Sequence, residues 1–312
     1  MSNPYFSNDP YFGESEKARK QRAALGVPSV PQAPQGQGYQ GGAYGQQAYG
    51  TPSGTATMPP APVSDNLEHA YRMPAASAVQ TGRMTYDDVI MKTATVLGTI
   101  ILFGAFNWFG PAAIGMPGLQ MPLLFIGAIG GFVLGLVNAF KREPAPALIL
   151  AYAALQGLFM GGISFIFEAQ WSGIVLQALL ATVATFTAVL LLFRSGKVRN
   201  TPKFQRIVMV SLIGYAIFSL VNLVLMWTGV MENAWGIRGV EVMGIPLGVL
   251  IGVAAVVLAA ATLVIDFDGI QKGVQRGAPA RYAWSAAFGL AVTLVWMYLE
   301  FLRLLAILRG DN

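Results

Sequence analysis

Four acidic side chains and one arginine lie inside, or at the ends of, long apolar runs. Asp266 and Asp268 follow the run ending LVI, Glu300 and Arg303 sit within LVWMYLEFLRLLAIL, and Glu168 closes ISFIF. A charge at the centre of a bilayer costs roughly 3 kcal/mol on insertion scales, so an acid within an apolar span is a functional hypothesis in its own right. Glu300 and Arg303 are three residues apart, share a helix face and can pair. Asp266 and Asp268 are two apart and point to different faces. Asp266 is expected to face the neighbouring helices and Asp268 to act as a solvated cap, with Asp268 and Glu168 as secondary acids. Carboxylate oxygens suit a hard cation such as calcium.

Other chemistry is excluded by composition. There is no cysteine, which removes disulfides, thiolate metal sites and cysteine nucleophiles. The single histidine, His69, lies in the polar N-terminal part, so no triad or nitrogen-ligated metal can form among the apolar runs. HExxH, P-loop and GxSxG motifs are missing, and neither an enzymatic activity nor a bound cofactor is expected. Any pH response of the apolar part must come from carboxylates. The net charge of +5 is no nucleic-acid footprint, because the basic residues fall in short loops between apolar runs.

The elements that would position these residues are membrane spans. Of 312 residues 54% are apolar and only 11% charged, against roughly a quarter charged in a soluble domain. The chain divides into a tail, residues 1–84, and a seven-helix transmembrane domain, residues 85–312. The tail carries a small repeat, NPYF and DPYF, then a charged stretch ESEKARKQRAAL with some helical tendency. A Pro, Gly, Gln and Tyr-rich run, QAPQGQGYQGGAYGQQAYG, follows. Such composition cannot bury enough apolar surface to offset ordering entropy, so the tail is expected to be disordered. No apolar leader opens the chain, so no signal peptide is expected.

Order is expected to begin at MTYDDVIMKT, where Thr85 and Asp88 have the spacing of a capping box. Seven apolar segments follow, at about 89–109, 121–140, 146–167, 172–193, 206–229, 243–265 and 283–308, each near the roughly 20 residues that cross a bilayer. Lys and Arg cluster after the second, fourth and sixth segments. The loops after the first and third have none, and the loop after the fifth has only Arg238. By the positive-inside rule the tail is cytoplasmic. Gly127, Gly131 and Gly135, Gly157 and Gly161, and Gly244, Gly248 and Gly252 recur at GxxxG spacing, which lets helix backbones approach closely.

LVIDFDGIQKG followed by LVWMYLEFLRLL, with YAALQGLFMGGIS in the third segment and MTYDDVIMKT before the first, resembles the Bax-inhibitor-motif family and its YccA-like proteins. It looks like a bacterial branch with an extended N-terminal tail. The resemblance covers about residues 84–309. It implies an all-α membrane fold of seven transmembrane helices with the last one central, a place in the bacterial plasma membrane, and a pH-sensitive calcium leak controlled by acids on the last two helices. Asp266, four residues before Ile270, matches the first acid. Glu300, in YLEF, matches the second, with glutamate in place of aspartate.

Two departures from the family pattern bear on geometry. The acids are 34 positions apart, more than in those relatives. If the last helix starts at Tyr282, Glu300 lies roughly 27 Å along it while Asp266 stays at the helix end. Relatives also offer a basic partner from the second helix, which has none here before Lys141, and Arg303 is the available substitute. Two functions are therefore carried forward. One is a passive calcium leak gated by carboxylate protonation, closed while the acids share a proton and opened by their repulsion at higher pH. The other is a membrane-embedded regulator that contacts a partner, such as a membrane protease, through the tail. Proton-coupled transport ranks below both, since no inverted repeat is visible.

Overall fold

The computed structural model describes residues 16–24, 82–230, 235–242 and 244–310. Both PYF motifs and the Gln/Tyr-rich run lie outside these residues, as does the expectation of a docking tail. Within the tail, Glu16–Ala24 is helical, with Glu16 and Lys20 paired one turn apart at 3.0 Å.

Seven long helices follow: Tyr86–Ala113, Gln120–Phe140, Pro146–Gln170, Ile174–Arg194, Pro202–Trp227, Leu247–Gln275 and Ala283–Arg309. All are long and apolar enough to cross a membrane, and the chain is a multi-pass membrane protein. Their starts are dictated locally. Thr85 and Asp88 form the reciprocal capping box, each backbone N–H bonded to the other's side chain at 3.1 Å. Thr201 caps the fifth span through the Phe204 N–H, and Pro146 and Pro202 occupy first-turn positions where a missing N–H is harmless.

The loops gather at two ends. At one, Met84 and Ala280 donate backbone bonds to Ala278 and Gly82, so the chain before the first span pairs with the loop after the sixth. Arg281 reaches Glu143 of the loop after the second span at 3.1 Å. At the other end, Trp171 of the loop after the third span donates to the Gly310 carbonyl, and its ring lies beside Trp235 of the loop after the fifth. The basic loops thus share one end, the basic end below, and the loops poor in Lys and Arg share the opposite one.

The seventh span is the axis of the bundle. Its most apolar stretch is 56% buried, against 17% for the fifth span. Ala287, Phe288, Ala291 and Val295 pack on Val96, Ile100, Ile149 and Tyr152 of the first and third spans. Tyr298, Leu302 and Ala306 meet Ile174 and Ala178 of the fourth, and Met297 joins Leu263 and Val264 of the sixth. The second span packs outside this ring, on the third.

Small residues make that packing possible. A Cβ on Gly157 would stand 2.5 Å from the Ile100 carbonyl, one on Gly127 2.6 Å from the Leu155 carbonyl, and one on Gly161 would overlap the Gly104 carbonyl. Gly248 and Gly252 lie against Ile307 and Leu304, whereas Gly244 (φ +79°) is a turn residue of a short hairpin, Glu241–Val242 with Ile245–Pro246, and takes no part in the helix stripe.

The sixth helix corrects its expected boundary. Instead of closing near Asp266 and Asp268, it runs on to Gln275. Phe267 and Ile270 continue the buried face, and Asp268 and Lys272 pair one turn apart at 2.9 Å, so the charges are accommodated within the helix.

Gly161→Ala should lower the thermal midpoint in detergent, with an overpacking cost of about 1–3 kcal/mol. Gly214→Ala, in the fifth span with open space where its Cβ would go, should be neutral or mildly stabilising by the same melt.

Candidate functional site

The extended sixth helix changes where Asp266 lies. It sits nine residues before the helix ends at Gln275, roughly 14 Å in from the basic end. The seventh helix returns antiparallel from Ala283, and Thr293 is ten residues into it, at nearly the same depth. The two meet. Thr293 Oγ1 donates to Asp266 Oδ2 at 2.7 Å, and both side chains are buried, Asp266 with 1% of its surface exposed. No ion pair to a basic side chain balances Asp266 among the described residues. A carboxyl in such a place must be held by hydrogen bonds and by whatever proton or cation it binds.

Glu300 lies seven residues beyond Thr293, roughly 10 Å further toward the opposite end. Its surroundings differ in kind. Arg303 forms an ion pair with Oε2, and Oε1 accepts from the Tyr215 hydroxyl and, at 3.0 Å, from Trp296 Nε1. Tyr215 in turn accepts from Arg303 Nη2 at 2.7 Å and from Arg238 Nη2 at 3.1 Å, and the same Arg238 nitrogen donates to Ser219 at 3.1 Å. The loop after the fifth span delivers Arg238. Asn222 accepts from the Ile237 N–H at 2.8 Å, and Gly236 takes φ +59° with Asn222 so close that a Cβ would collide with it. That tight seat turns Arg238 inward.

The pairing expected between Glu300 and Arg303 is therefore present. Asp266 and Glu300, by contrast, have separate sets of partners. Register is the physical reason: in an antiparallel hairpin turning after Gln275, the residue level with Asp266 is near Thr293, and Glu300 falls two helical turns past it. The remaining two acids are structural. Asp268 binds Lys272 and accepts from Asn200 at 2.8 Å, tying the sixth helix to the loop after the fourth span, so it is a half-buried link and not a solvated cap. Glu168 accepts from the N–H groups of Gly173 and Val175 at 2.6 and 3.1 Å, capping the start of the fourth span. Among the described residues no three acidic, histidine or cysteine side chains gather as a resident metal site.

Tyr215, Ser219, Thr293 and Arg238 are absent from the residues singled out by sequence. Arg238 is visible there as the lone base of its loop, where it reads as a minor orientation signal. Thr293 offers a signal too, since it and Asp266 are nearly symmetric about the turn between the last helices.

Fold and site together define a multi-pass helical membrane protein with a buried acid-bearing hairpin at its axis. The model of the Bax inhibitor 1 like family matches residues 3–310, and the chain belongs to that family. The match takes in most of the N-terminal tail, which the motif resemblance leaves uncovered. No curated protein matches the chain.

The two acids should respond differently to neutralisation. Glu300→Gln leaves two guanidinium groups beside no carboxylate and should cost roughly 3 kcal/mol of stability. Asp266→Asn keeps an oxygen for Thr293 and should stay within about 1 kcal/mol of wild type. Chemical denaturation in a fixed detergent at pH 7 reads both.

Proposed function

We propose that the protein is a passive cation leak, with calcium as the transported ion, whose conductance follows the proton occupancy of Asp266. The observation that supports this reading is the Asp266–Thr293 contact. It sets an acid that has no paired base among the described residues between the two most buried helices, whereas Glu300 and Asp268 are neutralised by Arg303 and Lys272 and Glu168 is engaged as a helix cap.

The mechanism is one of competition for the carboxyl oxygens. With a proton bound, the group is neutral, the hairpin stays closed over it and no site faces a cation. With the proton gone, two hard oxygens and the Thr293 hydroxyl become available to calcium, and a bare charge at that depth favours separation of the sixth and seventh helices to admit water. Asp266 and Glu300 need not share a proton for this, which simplifies the scheme drawn from sequence. Charge in the loops orients the protein with its basic end, and so its N-terminus, in the cytoplasm. Asp266 then lies in the cytoplasmic half and Glu300 in the outer half.

Calcium uptake into proteoliposomes should rise as pH increases. In Asp266→Asn the flux should lose its pH dependence, and Thr293→Val should shift the response along the pH axis. An Asp266→Asn protein with a wild-type pH profile would remove Asp266 from the gate.

A further inference from the structure

The polar cluster at the opposite end holds more positive charge than its own acid can balance. Arg238 has 3% of its surface exposed and Arg303 has 24% of its side chain exposed, yet among the described residues Glu300 is the one carboxylate bonded within the group. The Tyr215 hydroxyl does not make up the difference. Its proton goes to Glu300, and its oxygen already accepts from both guanidinium groups. Among the described residues two donors, Nη1 of Arg238 and Nε of Arg303, have no acceptor, and Glu300 Oε2, in ion-pair contact with Arg303, has no hydrogen bond of its own. The rings of Tyr215 and Phe218, 5.5 and 5.3 Å from the Arg238 guanidinium carbon, give that charge partial relief. Aromatic faces attract a cation but accept no N–H bond in the plane of the guanidinium, where its donors point.

A buried guanidinium is ordinarily paired, because leaving its charge and donors unmet is costly. We infer that Arg238 and Arg303, both held against Tyr215, form a binding site for one small monovalent inorganic anion, of which chloride is the accessible example. The anion supplies the missing negative charge and accepts from Arg238 Nη1 and Arg303 Nε. Glu300 remains the counter-charge of Arg303, and Tyr215 and Ser219 fix the approach of Arg238. The site belongs to the loop after the fifth span as much as to the last helix, so anion binding fastens that loop, with its Gly236–Gly239 turn, over the end of the bundle. This role is separate from any proton chemistry at Asp266.

Equilibrium dialysis of the purified full-length protein against radiolabelled chloride, in a zwitterionic detergent with gluconate holding ionic strength constant, tests the site without measuring flux. Wild type should retain chloride saturably, at one ion per chain, and should melt at a higher temperature in chloride than in gluconate. Arg238→Gln should weaken retention by about tenfold or more, as loss of a charge-assisted donor requires. Arg303→Lys, which keeps the pair with Glu300 but removes Nε, should weaken it several-fold and provides the comparison if Arg238→Gln does not fold. Absence of saturable chloride in wild type would overturn the inference and assign the donors to water. Wild-type retention in both variants would overturn it equally, and so would displacement of chloride by added phosphatidylglycerol, which would assign the donors to a lipid headgroup.

Discussion

Everything in this bundle turns on how an apolar interior accommodates a carboxyl group. At the Asp266 level the answer is a single threonine hydroxyl at 2.7 Å, offered by the neighbouring arm of an antiparallel helical hairpin. That answer works only if the register of the hairpin is held to within a fraction of a helical turn. The continuation of the sixth helix to Gln275 sets the register, and the small residues on the seventh, Ala283, Ala286, Ala287 and Ala291, allow the helices around it to approach closely enough to keep it. Packing in a membrane has no hydrophobic drive between helices, so close approach and interhelical hydrogen bonds must hold the bundle together. Further bonds of this kind recur: Ser164 with Tyr298 at 2.7 Å, and Asn107 Nδ2 to the Leu158 carbonyl at 2.6 Å.

The two ends of the hairpin solve the same problem in opposite ways. At the Asp266 level an acid has no base beside it among the described residues. Toward the other end an acid is surrounded by two arginines, a tyrosine and a tryptophan, and the excess charge is positive. A group that keeps only a neutral hydroxyl partner can change its charge with little rearrangement of its neighbours, whereas one embedded in an ion-pair network cannot. That asymmetry separates a candidate for gating from a candidate for structural closure, although both acids stand out equally in the sequence.

Much of the architecture is legible in the amino-acid sequence alone. Span number, the Thr85–Asp88 capping box and the gathering of basic loops at one end follow from hydropathy, local chemistry and charge, all of which act over short sequence distances. The site is less legible. Asp266 and Asp268 look like helix-ending charges because DFDGIQKG interrupts an apolar run, but the i,i+4 pairing of Asp268 with Lys272 and the buried Phe267 and Ile270 favour continuing the helix. The added helical turns then move Asp266 from the surface to mid-bundle and exchange its expected partner, Glu300, for Thr293. Arg238 is hidden for a different reason. A lone base in a loop looks solvated, and nothing local reveals that Asn222 and Gly236 fold that loop back onto Tyr215.

The central claim, that Asp266 exchanges a proton inside the closed bundle, is most directly tested by infrared difference spectroscopy of the carboxyl stretch during a pH titration of the reconstituted protein. The account predicts a protonated-carboxyl band that disappears as pH rises, shifts in Thr293→Val and is missing from Asp266→Asn. A spectrum in which no titrating band is lost on replacing Asp266 would contradict it.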